Sequence, residues 1–446
     1  MQEPLIQHVQ NLIQEYQIHT VRVTVTDNTN ITRSRFVPAR AFIASVRGTG
    51  TQYPSALLSM DSSALLVPEA GDGWEGGFPS MLLVPDLSTF VVLPWAPGTA
   101  RVIADLAWPN GEPWEASPRQ VLRRVLKRLQ ETGYTLKGAF EFEFYVYRNG
   151  DKCQEPVWQG LNCFADTNQV NCADIFDAII KGLESIGAGP GVANTEYGPG
   201  QFEITNSPFT ELAAADMAVY YRASIKEILH QLGYTATFMA KPSASVSGSG
   251  GHLHFSWLDK EGRNNFYDPG SPDGLSDLCR QVIAGQLAHA GALCALANST
   301  INSYKRLRPH QFAPVNASWG HEHRCTMLRV PFSRGEQTRL ENRLPAADTN
   351  PYLALAGSVA AGLDGMEKRL TPPPPVSGRN PYTADDLPPL PDSLPAAIAA
   401  LEQDTVIRGY LGEEFCRNFI SLRLAEWERF SAHVTDWELN EYQKLL

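Results

Sequence analysis

Positive charge is in short supply along this chain. Its 446 residues include 37 Lys and Arg against 48 Asp and Glu, a formal net charge of −11. A nucleic-acid-binding face needs clustered basic residues, so no nucleic-acid partner is expected, and anionic ligands must be met by a few focused arginines. Cysteine is sparse as well: seven residues, at 153, 163, 172, 279, 294, 325 and 416, with no Cys-x-x-Cys. An odd, scattered set argues against a disulfide framework or a structural zinc cage and suits reduced thiols in the cytoplasm. No apolar stretch approaches the roughly 18–20 residues that span a bilayer. Met1-Gln2-Glu3-Pro4 does not open a basic-then-apolar secretory signal. The expectation is a cytoplasmic protein with no membrane partner. What is present, 43% hydrophobic and 19% charged residues, is the composition of an ordinary globular enzyme. The length allows two domains of roughly 100–200 residues each.

The first 105 residues read as a small β-rich domain. Residues 19–26 and 31–37 alternate around Asp27-Asn28-Thr29-Asn30, the pattern of a hairpin. Short apolar runs at 64–67, 81–84 and 90–93 suggest further strands. Ser117-Pro118 then starts a helix: a serine cap, proline in the first turn, an apolar stripe of Val121, Leu122, Val125, Leu126 and Leu129, and Gly133 as the stop. From Tyr134 to Tyr147 three phenylalanines alternate with Glu141 and Glu143, as a strand with rings on one face and carboxylates on the other. Helices are expected near 174–186, 211–232 and from 393 onward, and the proline-rich 371–392 as a semi-rigid surface excursion. Residues 106–446 thus read as a large α+β domain.

The polar motifs come in a fixed order. Glu141-x-Glu143 is followed by Glu196 and Glu203 around Gly198-Pro199-Gly200, then His252-x-His254 behind a Gly-rich run, then Glu341-x-Arg343. Each alone has a plain structural reading: a solvated strand face, a turn-exposed pair, a buried histidine, an intrastrand ion pair. Together, five carboxylates and an imidazole suit hard or borderline cations, Mg²⁺ or Mn²⁺, more than structural zinc. Such ions neutralise phosphate oxygens. Arg306, Arg324, Arg329, Arg334, Arg339 and Arg343 lie within about forty residues, and guanidinium forks match carboxylate and phosphate oxygens.

These segments resemble the glutamine synthetase family. The likeness runs from Leu82 to Leu363 and is strongest at Leu82–Asp86, Phe140–Phe144, Gly198–Glu203, Ala236–Pro242, Ser303–Leu307 and Asn350–Leu353. It implies an N-terminal β-grasp domain (1–105) on a catalytic domain (106–446), and homo-oligomeric rings, hexamers or dodecamers, with active sites between subunits. By the same resemblance, Glu143, Glu196 and Glu203 would hold the metal nearer glutamate, and Glu141, His252 and Glu341 the metal on the nucleotide. His254, Ser256, Arg329 and Arg339 would contact ATP. Gly248, Arg306 and Arg343 would contact glutamate, with Arg324 shared between the two substrates; Arg324 and Arg339 would be catalytic.

The departures bear on the substrate. Where ammonia-using relatives place a glutamate before Ala-Pro, this chain has Phe312 before Ala313-Pro314. The family's Asp-Gly-Ser-Ser loop is missing, replaced near Gly71-Asp72-Gly73-Trp74; Asp61-Ser62-Ser63 lies too far from Leu82 to stand in for it. Ser247 stands where many relatives have asparagine, and the tyrosine loop adenylylated in some of them has no counterpart. A closed ammonium pocket needs paired carboxylates, because an unpaired buried cation is costly. Phe312, with Trp74 as a second wall, offers apolar surface at about 25 cal/mol per Å² instead. The expected reaction joins L-glutamate to an organic primary amine, aromatic or hydrophobic, through γ-glutamyl phosphate. A polyamine is the variant that Asp72 and Glu75 would serve. Glu322, Asp72, His321 or a metal-bound carboxylate could accept the amine's proton. Ordinary glutamine synthetase and a non-catalytic nitrogen sensor are the rivals.

Overall fold

The structure is a computed structural model describing residues 2–48, 50–71, 73–149 and 155–446; Asp72 and Cys153 lie outside the described residues. It is built on two sheets. The first runs in the order Thr32–Pro38, Thr20–Thr26, Thr99–Ala107, Ser80–Pro85, Thr51–Pro54, with Val91–Val92 also on Thr99–Ala107. The expected hairpin is there, Val23 opposite Arg35, while Thr20–Thr26 pairs in parallel with Thr99–Ala107. Helices Gln2–Glu15 and Ala39–Arg47 cover one face, contributing Ile6, Val9 and Phe42 to its core. The expectation of a β-rich domain here had named no helices. The run at 64–67 is not a strand: Asp61 Oδ1 accepts the N–H groups of Ser63 and Leu65, which ties the chain into a turn before the 3₁₀ helix Pro68–Ala70. A short polar side chain competing for backbone donors outweighs four apolar residues.

The second, ten-stranded sheet positions the polar motifs. Its path is Trp319–His321, Leu328–Val330, Leu340–Asn342, Gly251–Leu258, Thr135–Arg148, Gln201–Asn206, Pro190–Thr195. The long central strand buries Phe140, Phe142 and Phe144 on one face; Phe140 and Phe142 stack at 5.5 Å, each ring worth about 1.5–3 kcal/mol of burial. Helices Ala173–Ser185 and Leu212–Gln231 pack beside it, close to the expected bounds. Helix Pro118–Glu131 has Ser117 capping Gln120 N–H, and Gly133 takes φ +94° just beyond it.

Behind the sheet, helix Pro351–Glu367 is buried almost throughout and crosses Asp277–Ala288 at Gly285 and Gly365. A Cβ on Gly285 would fall 2.0 Å from Ala361 O, so this crossing requires glycine. The proline-rich 371–392 is pinned along the edge: Trp319 Nε1 donates to Pro373 O, Val376 N to Trp319 O and Leu390 N to Val315 O. An ion cluster links the first sheet to helices Pro118–Glu131 and Leu212–Gln231, with Arg119 reaching Asp86, Asp105 and Asp216 at once.

Candidate active site

Register decides which motif residues meet. Across the second sheet, Glu203 lies opposite Glu143, His252 opposite Glu141, His254 opposite Glu341, and Glu341 opposite Arg329. Directly opposed side chains share a face, so residues far apart in sequence form one polar row across neighbouring strands. Glu196 joins from the adjoining turn, its N–H donating to Gln201 O at 2.7 Å.

At one end of this row protein groups supply the counter-charge. Glu341 accepts from Arg329 Nη1 at 2.5 Å and from Arg343 Nη1. Burial works to raise its pKa, but the charge of Arg343 foremost overcomes it and holds the carboxyl at about 2. Arg329 Nη2 also reaches Glu322 at 3.0 Å. Glu141 likewise loses to burial and gains more from His254, whose Nε2 lies 2.7 Å from Glu141 Oε2; its carboxyl is held at about 2. Arg339 Nε donates to His254 Nδ1 at 3.2 Å, which makes Nδ1 the acceptor and Nε2–H the donor to Glu141.

At the other end no protein cation lies within ion-pair distance among the described residues, and Arg306 and Arg343 act on Glu143 only from farther away. Burial, then the charge of Glu196, pushes Glu143 up to about 7. Glu203 is raised well above the ordinary range by burial and then by Glu141 and Glu143, and Glu196 is raised chiefly by burial. His252 is buried, its Nδ1 has no hydrogen-bond partner among the described residues, and burial keeps it neutral. Among the described residues no three His, Cys, Asp or Glu side chains are already gathered into a metal cage. The fit is nonetheless one of chemistry: three half-buried carboxylates with no ion-pair partner among the described residues, and an orphaned imidazole nitrogen, are a deficit that divalent cations would fill.

A cavity of about 340 Å³ opens beside the row, walled by Lys137, Glu141, Asn206, His254, Ser256 and Arg339. The expected nucleotide contacts His254, Ser256 and Arg339 therefore share one cavity; Arg329 is committed to Glu341 and Glu322. Among the expected glutamate contacts, Gly248 meets Arg306: a Cβ on Gly248 would lie 2.8 Å from Arg306 Cγ and 3.0 Å from Ala240 O. Arg306 is buried and donates to Leu344 O, with His252 Nε2 at 3.4 Å. Arg343 reaches further, donating Nε to Arg324 O and Nη2 to Phe312 O. The Arg324 side chain itself is exposed.

Three contributors were not foreseen. Gln201, wholly buried, donates to Glu143 Oε2 at 3.0 Å and to Gly248 O, and accepts from Gly198 N–H. It stood inside the Gly-Pro-Gly motif, and its alternation with Glu203 along the strand was the available signal. Tyr145 OH donates to Ser247 O, clamping the Gly-rich run onto the central strand. Cys163 Sγ lies 3.6 Å from Glu196 Oε2, a contact no spacing announces.

Phe312 sits in the left-handed region at φ +52° with its ring 64% exposed. Trp74, 71% exposed, packs edge-on against Phe78. Its loop borders a depression lined by Trp108, Trp114 and Asn418, of which Phe312 is not part.

With this geometry in view, the comparisons are informative. The model for the catalytic domain of glutamine synthetase matches residues 115–442. A glutamate–isopropylamine ligase of Pseudomonas sp is 35% identical over 98% of this chain and 98% of its own length. A glutamine synthetase of Thermotoga maritima is 40% identical, over 81% of this chain and 85% of its own. Among solved structures, a GmaS–ADP complex superposes with a TM-score of 0.86 at 29% identity, covering 97% of this chain and 99% of that one.

Proposed function

The chain belongs to the glutamine synthetase family, and from that premise we propose that it is an ATP-dependent ligase joining L-glutamate to an organic primary amine. The γ-phosphoryl group of ATP passes to the side-chain carboxylate of glutamate, releasing ADP. The amine nitrogen then attacks the acyl carbon, the C–O bond to phosphate breaks, and a γ-glutamyl amide forms as the amine loses a proton.

Each part of the row has work in this reading. Glu143, Glu196 and Glu203 would hold one divalent cation and Glu141, His252 and Glu341 a second, Mg²⁺ or Mn²⁺. When bound, these ions neutralise phosphate oxygens during transfer. Lys137, Ser256 and Arg339 line the nucleotide's cavity, and His254 links Arg339 to Glu141. Gly248 gives glutamate's backbone room beside Arg306, and Arg343 holds the γ-carboxyl end near Phe312. Arg324 and Arg339 place charge where the phosphoryl group moves. Gln201 fixes Glu143 so that its free oxygen faces the cation.

The observation that carries the amine reading is Phe312. By the sequence resemblance it replaces the carboxylate of ammonia-using relatives, and the bond from Arg343, which also reaches Glu341, to its carbonyl supports that reading. An apolar wall favours an alkyl or aryl amine over hydrated ammonium. The isopropylamine ligase matches this chain from end to end, whereas the glutamine synthetase covers four-fifths of it. A product assay with glutamate, ATP and a panel of amines decides: isopropylamine or aniline should outpace ammonia, and the reverse order would establish the second reading, an ammonia-using synthetase, which the Thermotoga likeness favours. Phe312→Glu should shift preference toward ammonia. A polyamine substrate would draw on Glu75; a non-catalytic sensor would have no use for an unanswered acidic cluster.

The division at residues 105 and 106, cytoplasmic location and a homo-oligomeric ring, hexamer or dodecamer, complete the reading. The ring is supported by the depression beside the Trp74 loop, of which Phe312 of the same chain is not part, a gap that a neighbouring subunit's loop would close.

A further inference from the structure

A second cleft, about 670 Å³, lies between the first sheet and helix Leu212–Gln231, away from the polar row. One wall is the sheet face bearing Arg22 and Arg101, register partners on adjacent parallel strands. The other is a helical stripe of Arg222, Lys226 and Glu227. In a protein of net charge −11, four cations line this cleft against two carboxylates, Glu227 and Asp348.

Those carboxylates are already occupied. Both Arg22 and Arg101 reach Glu227 Oε1, the former at 2.9 Å, and Trp95 Nε1 donates to Glu227 Oε2 at 3.0 Å. Asp348 accepts from Thr300 and Ser303 hydroxyls. Arg222 donates only to neutral acceptors, Ala347 O, Thr349 O and Asn30 Oδ1. Lys226 has no carboxylate within ion-pair distance among the described residues; its ammonium lies 5.7 Å from the Phe238 ring centroid. Arg101 is the decisive group. It is 4% exposed, yet its Nε and Nη1 have no hydrogen-bond partner among the described residues, and neither has Arg22 Nε. Buried guanidinium N–H groups left without acceptors are costly, and two arginines sharing one carboxylate leave a positive charge unanswered.

We infer that this cleft is a binding site for a small dianion, a phosphate or a short dicarboxylate, held between Arg101 and Arg22 on the sheet and Lys226 on the helix. Planar guanidinium forks favour such oxyanions, and Lys226 adds a point charge from the opposite wall. The site is distinct from the proposed ligase chemistry, and its test uses neither ATP hydrolysis nor amide formation.

Isothermal titration of the full-length, nucleotide-free protein with inorganic phosphate and, separately, with succinate gives the answer and tells the two sources apart. Saturable binding of at least one is expected. Lys226→Gln, which breaks no ion pair, should weaken it about tenfold, the loss of one charge-assisted contact, and Arg101→Gln at least as much. If Arg101→Gln fails to fold, Lys226→Gln still decides. No binding of either anion to the wild type overturns the assignment. So does binding that Lys226→Gln leaves unchanged, since that anion would then sit in the polar row's own site.

Discussion

At one end of the polar row, Glu341 lies between Arg329 and Arg343, and Glu141 against His254. At the other, Glu143 and Glu196 are held by amide, thiol and backbone donors, and Glu203 shares a hydrogen bond with Glu141. Both ends bury carboxylates, but the first is neutralised by the protein and the second is not. The difference teaches what a carboxylate cluster is for. Where counter-charge is built in, the carboxylate is already held by protein partners before any cation binds; where it is left out, the fold tolerates repulsion so that a cation can enter.

The sharpest way to break this contrast is to neutralise one acid from each end. Glu203→Gln should lower ligation by about a hundredfold or more, as loss of electrostatic stabilisation does, while raising the melting temperature of the metal-free protein because repulsion is relieved. Glu341→Gln should be equally inactive but less stable by about 3–5 kcal/mol, since Arg329 and Arg343 lose their buried partner. Denaturant melts beside product assays separate the two; equal stability changes would dissolve the distinction. Second in size is the response to metal. Chelation should lower the wild-type melting temperature and Mg²⁺ restore it, by linkage, whereas Glu203→Gln should show little shift in either direction. Next, Gln201→Leu should weaken the metal-dependent shift while leaving the fold intact, because it frees Glu143 without removing its charge.

The smallest effect lies far from the row and serves as a control. His289 bridges Asp364 at 3.0 Å and Asp404 at 2.6 Å. Burial opposes its charge, but the bonds to Asp404 and Asp364 win and raise it above the ordinary 6.5. A raised folded value makes its contribution complete below pH 6.5 and lost as pH rises through that higher value. The stability gap between wild type and His289→Gln should therefore be wider at pH 6 than at pH 9, with amine preference unchanged. A gap independent of pH would remove the ionic account of this bridge.

How much of this was legible beforehand differs by residue. Glu141 and Glu143 showed their shared face through alternation with Phe140, Phe142 and Phe144, and Ser117-Pro118 announced its helix through capping chemistry. The turn at 61–66 was hidden because one aspartate overrode a run of apolar residues. The helices at 2–15 and 39–47 were overlooked because β-rich neighbours set the expectation. Gln201 was visible as a letter but not as a donor, since its partners come from the central strand and the Gly-rich run. Trp74 and Phe312 were paired by analogy across a subunit boundary, and within one chain Phe312 is not part of the depression beside the Trp74 loop.

The sequence by itself determined the inventory: which donors exist and which face of its own strand each occupies, by side-chain chemistry and the two-residue period of a strand. That a ring replaces an acid before Ala313-Pro314 came from the resemblance to the family. Only the tertiary structure decided which carboxylates were answered by arginine and which were left alone. Charge balance at a buried group depends on partners that register brings from elsewhere in the chain, and no local pattern encodes it.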